Sequence, residues 1–596
     1  MNIIDLMTRA SCKTLESKRK SSFRASEARP GIQFFRAILD SGACPGPRSG
    51  VRRNDGVSDF CNRLTRIAFI FVFVLGVVSS ASAISSVNVP LDSWVYPALD
   101  NLEAYGLIDT ALSGTKPYSR LETARLVKEA MKKWEEFLAR GKASNYAEKE
   151  LIPSLLDRLK KKFRPELIEW GALEGTPASS FLKPVDEIIL RSQYQTDNPV
   201  VRPQVGPPTT HTIYPIYNND GIVYEKHYNG SVELTGEGRL WNHLSFYYQP
   251  ILTMFDGQEA QVRLEKGYVK AEGFNIEVEA GRDSLWWGPG NHGALLMTNN
   301  ARPFDVIKFS NPQPVLIPFI GPFKATIFVS QLDYGQPYIE KPTLYGLRLN
   351  FKPLPILEFG ISQVAIFDGQ GRKSLSVSDY FNILYSNQNQ DNTKLDSNQQ
   401  VAIDFSLRWP DLYKILPVAR SLKFYGEWGA EDTGTPPDRR AFLLGLSFYD
   451  LFLTGRVDLR LEYTNTASQF NLENSNTSSN TVPSAWYTHA SYPPIFHERI
   501  FGHHVGSNAE DIFARLTGYL SPKLTLGLDF DAETQGKVNA IKTKTYQWGV
   551  DVDFWIRDQI KIKGRYILEN FRDPQSIAGG DKTHHLFGIE LRYGFW

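Results

Sequence analysis

The last ten residues, Phe587-Gly588-Ile589-Glu590-Leu591-Arg592-Tyr593-Gly594-Phe595-Trp596, decide how the rest of the chain is read. In an extended strand Phe587, Ile589, Leu591, Tyr593 and Phe595 share one face, and Gly588, Glu590, Arg592 and Gly594 share the other. A soluble protein would use such a strand as a half-buried edge. A strand that is apolar on one side, charged on the other and aromatic at its end also suits the closing strand of an outer-membrane barrel. The apolar side would then face lipid and the charged side the lumen. This second reading requires that the pattern recur and that the N-terminus direct export.

The pattern recurs. From Asp186 onward the period is two. Val401, Ile403, Phe405, Leu407 and Trp409 oppose Asp404, Ser406 and Arg408; Val457, Leu459, Leu461 and Tyr463 oppose Asp458, Arg460 and Glu462. Leu524 to Phe530, Tyr546 to Phe554 and Ile560 to Leu568 alternate in the same way. About 18 such segments of roughly 9–11 residues lie between Glu187 and Trp596, the length a tilted strand needs to cross a bilayer. The connections give a test independent of hydrophobicity. If the first strand runs outward, connections after odd strands are extracellular and long, and those after even strands periplasmic and short. The odd set spans 196–229, 251–261, 282–303, 332–343, 367–400, 431–440, 465–510, 532–544 and 569–583. The even set includes Glu272-Gly273, Lys352 to Pro355, Ser521 to Lys523 and Arg557-Asp558, with 311–322 and 410–420 intermediate and proline-containing. A soluble β-sandwich has no reason to sort its loops by length. The expected fold is an all-β transmembrane protein: an antiparallel outer-membrane β-barrel of about 18 strands, carrying a small N-terminal α-helical periplasmic unit. Lumen charges of both signs could pair and close the barrel or line a wet pore, and both remain open here.

Composition agrees with this class. The chain has 596 residues, a formal charge of +1 and a mean hydropathy of −0.30. Barrels look this polar because only alternate strand residues meet lipid. Ile67 to Val78 is an uncharged apolar run with Arg63 and Arg66 before it and Ala81-Ser82-Ala83 after it. That order is a secretory signal peptide cleaved after Ala83; a transmembrane anchor would need a longer run. Residues 1–60 are rich in Arg and Ser without periodicity, and the true start is expected nearer Arg63, with a disordered or transit-like extension as the alternative. Cys12, Cys44 and Cys61 all precede the cut, so the exported chain carries no disulfide, thiolate metal site or cysteine nucleophile. Residues 1–83 hold 13 of the 66 Lys/Arg and 6 of the 65 Asp/Glu, which leaves 53 against 59, about −6. Nothing in this balance points to nucleic acid. The expected division is 1–83 for the extension and signal, 84–180 for a periplasmic helical domain and 181–596 for the barrel.

Within 84–180, Leu91 to Tyr105 has helical spacing and ends at Gly106. Ser119-Arg120-Leu121-Glu122 is a capping box opening a second helix that turns Leu121, Ala124, Val127, Met131 and Trp134 inward. A third helix is expected from about Tyr146 to Phe163, with Leu151, Leu155 and Leu159 as its stripe. The order faintly resembles an S-layer-homology repeat, which binds cell-wall polymers; a packed helical plug explains it as well.

Two stretches carry candidate chemistry. Gly281 to Gly290, containing Arg282, Asp283, Trp286 and Trp287, runs through Asn291 and His292 to Phe304. Tryptophan faces stack on sugar C–H patches while Asn, Asp and Arg bond hydroxyls. The alternative is a loop tucked into the barrel mouth, its tryptophans in an aromatic girdle and Arg282–Asp283 a structural pair. The second stretch, Tyr492 to Gly506, contains His497, Glu498, Arg499, His503 and His504 and is followed by Glu510 and Asp511. Such a crowd could bind zinc, but the spacing fits no closed-site or metalloprotease pattern, and a polar network on the lumen wall is the expected role. No nucleophile elbow, phosphate loop or dinucleotide fingerprint occurs. No enzyme activity, cofactor or metal is expected. The candidate polysaccharide-binding residues are Trp286, Trp287, Arg282, Asp283, Asn291, His292, His497, Arg499 and His503.

Three stretches together, LDNLEAYGLIDTALSGTKPYSRLETARLV, GRDSLWWGPG…LLMTNNARPF and RIFGHHVG, resemble the Wzi family of capsule-assembly outer-membrane proteins. The resemblance covers most of the exported chain, and its Trp-Trp-Gly-Pro part is the most specific. It implies an 18-stranded barrel with periplasmic helices, acting as a lectin-like, non-enzymatic tether for capsular or extracellular polysaccharide on a Gram-negative cell. Expected partners are that polysaccharide, outer-membrane lipid and lipopolysaccharide, and the barrel-assembly machinery, with the chain a monomer. The competing readings are a carbohydrate-selective porin with a cell-wall-associated helical domain and, more distantly, an outer-membrane hydrolase.

Overall fold

The structure is a computed structural model and describes residues 84–596 apart from 142, 199, 204–209, 214–217, 335–337, 374, 386–392, 432–438, 468–485, 490, 538–541 and 573–580. The export signal and its cleavage after Ala83 lie outside the described residues. Eighteen long strands among those described close into one antiparallel barrel. They are β1 (Phe181–Gln195), β2 (His227–Leu240), β3 (Leu244–Phe255), β4 (Gln261–Gly273), β5 (Ile276–Asp283), β6 (Phe304–Ser310), β7 (Gly321–Gln331), β8 (Thr343–Leu354) and β9 (Leu357–Phe367). The second half continues as β10 (Ser397–Trp409), β11 (Ala419–Glu431), β12 (Arg439–Leu451), β13 (Val457–Asn465), β14 (Ala509–Ser521), β15 (Leu524–Gln535), β16 (Thr543–Arg557), β17 (Ile560–Arg572) and β18 (Lys582–Gly594). A short strand, Val315–Ile317, extends the pairing along β7. The seam is closed by β18, which pairs with β17 and with β1 in the register Glu187↔Gly594.

Alternation sets which side each residue takes. Ile307, Phe309, Ile403, Trp428, Leu461, Trp548, Val552, Phe587 and Ile589 are exposed on the outward face and form the apolar belt a bilayer would cover. Their neighbours Lys308, Asp404, Glu427, Glu462, Asp551 and Arg592 are buried in the lumen. The connections sort as expected. Those after odd strands include 196–226, 284–303, 368–396 and 466–508, and those after even strands include 241–243, 274–275, 355–356, 522–523 and 558–559. The connection expected at 251–261 is shorter than anticipated, because β3 continues to Phe255 and only 256–260 remain.

The helices gather at the short-turn end. They are α1 (Val95–Ala104), α2 (Arg120–Arg140), α3 (Ile152–Lys162), entered through a π-turn at Ala147–Leu151, and α4 (Arg164–Glu169). Val95, Leu99, Leu102, Val127, Leu159 and Phe163 make their common core. Lys161 Nζ meets Asp558 at 2.7 Å, Asn101 Nδ2 donates to the Tyr519 hydroxyl at 2.9 Å, and Asn145 Nδ2 to Asp450 at 2.7 Å. Each partner lies at or beside a short turn. Ser119 caps α2 by accepting from the Glu122 amide at 3.0 Å. The reciprocal half of the expected box does not form. The Glu122 carboxylate turns instead to Lys324 of β7 at 2.6 Å, because a buried lysine on the barrel wall needs a counter-charge. A further helix, α5 (Val377–Tyr385), lies in the 368–396 loop.

Candidate functional site

The site begins with two segments that enter the lumen from opposite ends. From the helical end, residues 85–93 and 111–119 run along the wall. Asn88 Nδ2 donates to Glu279 at 2.9 Å and to Asp283 at 2.7 Å, and Lys270 Nζ donates to the Asn88 side-chain oxygen at 2.7 Å. The amide of Gly114 and the amide and hydroxyl of Ser113 all donate to Glu358, at 2.8–3.0 Å. Arg348 pairs with Asp404 and donates to the Thr115 hydroxyl at 3.0 Å. Asp92 bridges Arg191 of β1 and Arg592 of β18, so it grips both sides of the seam. The desolvation that the lumen imposes on Asp92 is outweighed by the Arg592 and Arg191 guanidiniums, which hold its carboxyl down to about 2.

From the long-loop end, 284–303 and 486–508 fold inward. Leu285, Trp287, Leu295, Met297, Trp486, Tyr487, Phe496 and Phe501 pack with Phe304, Phe328, Leu344, Tyr425 and Leu443 of the wall into an apolar core inside the barrel. The two loops are tied to each other where the Thr298 amide donates to the Phe501 carbonyl at 2.7 Å and Asn300 Nδ2 to the Ile500 carbonyl at 2.8 Å. Wall carboxylates satisfy the loop backbone. Glu462 accepts from the amides of Asn291 and His292 at 2.9 and 3.1 Å, Glu427 from Leu295 at 2.9 Å and Glu431 from Tyr487 at 2.6 Å. Glycine makes room for this packing at Gly346, where a Cβ would lie 2.2 Å from the Phe328 ring and 2.7 Å from Trp287. The upper and lower insertions meet at one two-residue ladder, Thr115↔Trp287 and Lys116↔Trp286.

The sequence-predicted residues fall in different places. Trp287 is 1% exposed and Trp286 6%, both inside the lumen, so neither lies in an aromatic girdle and neither offers a ring face to a sugar in this conformation. Arg282 shares the outward face with Ile276 and pairs with Asp305 at 2.8 Å. Asp283 points to the lumen and holds Asn88, so the Arg282–Asp283 pair does not exist. Asn291, His292 and His503 are brought together near Glu462 and Thr464, the His503 Nε2 lying 3.0 Å from the Thr464 hydroxyl. His497 stands exposed with Glu498 at the tip of a small hairpin, Ile495–Phe496 against Arg499–Ile500. Both tip residues have positive φ, 46° and 64°, a region that disfavours side chains. Arg499 is buried and donates to Asn219 at 2.9 Å and to the Asn300 carbonyl at 3.1 Å, which joins three connections. Burial holds His503 and His504 well below the usual imidazole range, the nearby His292 adding to it. At His292 burial opposes the charge, but Asp511 and Asp531 outweigh it and raise the ring to about 10. Sequence reasoning missed Asn88, Glu358, Glu427 and Glu462, whose only signal was a polar residue at a lumen-facing strand position or a short loop.

The family profile for the capsule assembly protein Wzi matches residues 205–586. An uncharacterized 55.8 kDa protein in the cps region of Klebsiella pneumoniae is 24% identical over 414 residues, which cover 67% of this chain and 69% of that protein. In fold the chain is similar to Wzi, an outer-membrane protein of Escherichia coli involved in group 1 capsule assembly and described as a carbohydrate-binding β-barrel. That match has 18% identity and a TM-score of 0.59, and covers 84% of this chain and 98% of that one. Matched over most of its barrel, this outer-membrane β-barrel belongs to the family of Wzi capsule assembly proteins.

Proposed function

We propose that the chain binds capsular or extracellular polysaccharide at its long-loop end and holds it on the cell, without chemistry of its own. One observation carries the reading: insertions from both ends fill the lumen and are bonded to its wall, so the long loops are the surface a polymer can reach. The helical segment 84–180 then sits in the periplasm and works as a fixed plug for the barrel at 181–596. Among the candidate contacts, His497 and neighbouring Glu498 are reachable, as is Tyr228, 71% exposed at the same end. Trp286, Trp287, Asp283, Asn291, His292, Arg499 and His503 act beneath them by fixing the loops. Arg282, on the outer wall beside Asp305, serves lipopolysaccharide or polymer at headgroup level. Two cavities beside the plug favour a second reading as a carbohydrate-selective porin. One of about 200 Å³ is lined by Arg191, Asn219, Glu233, Gln249 and Glu590, and one of about 370 Å³ by Asp100, Arg460, Arg515 and Tyr519. The deciding experiment is the partition of surface polysaccharide between cells and medium in a strain lacking the chain. Shed polymer at unchanged total amount supports the tether. Normal partition with reduced oligosaccharide uptake supports the porin.

A further inference from the structure

Where the two inward loops meet the wall, four potential ligands converge from four separate parts of the chain. His292 belongs to the 284–303 loop and His504 to the 466–508 loop, while Asp511 is on β14 and Asp531 on β15. His292 Nε2 lies 3.3 Å from Asp531 Oδ2 and 3.4 Å from Asp511 Oδ2, and His504 Nε2 lies 3.5 Å from the same Asp511 oxygen. Donor atoms of His292, His504 and Asp531 all lie within 4.8 Å of one another, as do those of His503, His504 and Asp511. These spacings are long for hydrogen bonds. The three histidine–aspartate spacings are near the edge of a metal tetrahedron: ligands about 2.0–2.1 Å from zinc stand roughly 3.3 Å apart.

We propose that His292, His504, Asp511 and Asp531 bind one divalent transition ion of the zinc type, which pins both inserted loops to the barrel wall. The site is buried: Asp511 and Asp531 are 1% and 2% exposed, and none of their four carboxylate oxygens accepts a hydrogen bond among the described residues. Glu533 adds a third carboxylate 3.8 Å from His504. Asp511 and Asp531 bring two buried carboxylates against these imidazoles, a donor set that suits a dication. The surroundings hold the rings in place. Phe513 stacks on His292 at 3.7 Å between centroids and 11° between planes, and Gly293 leaves the space His503 occupies. His503, held by Thr464 and by the Val505 amide, is a positioning residue beside His504. Mixed nitrogen and carboxylate donors in a buried pocket suit an ion of the zinc type better than magnesium or calcium, which prefer all-oxygen ligand sets.

The test uses the full chain, folded in detergent and dialysed after exposure to zinc. About one zinc per chain should remain, and chelation should lower the thermal midpoint by several degrees, restored by zinc and not by magnesium. A His292→Ala/His504→Ala variant should retain no zinc, while His584→Ala, at a separate His–Glu pair, should retain it fully. Should the double variant fail to fold, cobalt titration of the wild-type chain answers the same question, through a tetrahedral visible band that zinc abolishes. Absence of retained zinc together with an unchanged midpoint and no cobalt band overturns the proposal. Zinc retained undiminished by the folded double variant overturns the assignment of the site.

Discussion

At the scale of single residues, the lumen rests on a few large side chains and buried charges. Trp287 fills the space beside Phe328 and Gly346, with ring centroids of Trp287 and Phe328 5.3 Å apart. Trp287→Ala should cost about 3–5 kcal/mol, read as a lower temperature for loss of the folded, heat-modifiable band on gels, whereas His497→Ala should leave that temperature unchanged. Asp92 offers a pH test. Against the desolvation of the lumen, Arg592 and Arg191 hold its carboxyl at about 2, below its usual 3.8. A carboxyl with a depressed folded value stabilises above its unfolded value and loses that contribution as pH falls through the folded one. The stability difference between wild type and Asp92→Asn should therefore be constant near neutrality and shrink between pH about 4 and about 2. A difference that persists at pH 2 would show that Asp92 acts through packing and not through its charge.

At the scale of elements, the helices were legible because their signals are local. Ser119 and the spacing of Leu121, Ala124 and Val127 lie within a few turns of each other, and α2 begins where they place it. The fate of Glu122 was not legible. Its partner Lys324 is 202 residues away and reaches it only after the barrel closes. Because Ser119 caps alone, Ser119→Ala should destabilise α2 by about 1 kcal/mol, seen as faster amide exchange in its first turn with the barrel intact. Glu462→Gln leaves an acceptor for only part of the load now shared by Asn291, His292 and Tyr425. It should loosen the 284–303 loop, measured as faster proteolysis there than in wild type. The tryptophans show the same limit. A Trp-Trp-Gly-Pro stretch after a strand reads equally as a sugar platform or as a packed insertion, and the choice depends on where the loop goes.

At the scale of the whole molecule, insertions from both ends occupy the lumen, with two cavities beside them. A porin would conduct through its lumen. Here an apolar core from two loops and a bonded segment from the helical end occupy it. Planar-bilayer recordings of the intact chain should show little conductance. Removing residues 284–303 and 486–508 together should raise it at least tenfold if the barrel still inserts. Conductance in the intact chain, blocked by sugar, would favour transport over tethering. Cells lacking the chain should shed polysaccharide, and His497→Ala/Glu498→Ala should weaken retention without altering stability, if the hairpin tip touches polymer.

The sequence by itself determined what depends on neighbours in the chain. Two-residue alternation set the strand number and the outward and inward faces, because side chains on a strand must take opposite sides, and the lengths of successive connections set the end on which long loops lie. Helical spacing and a capping serine set the N-terminal helices. Only the tertiary structure decided which lumen charges pair, which loops turn inward and which residues share a pocket. Glu462 is 170 residues from His292, and Asp511 and Asp531 come to the same two histidines from adjacent strands. Every strand offers polar groups to the lumen with the same alternation. What selects among them is the closure of the barrel, which brings distant groups within bonding distance and removes the water that would otherwise satisfy them.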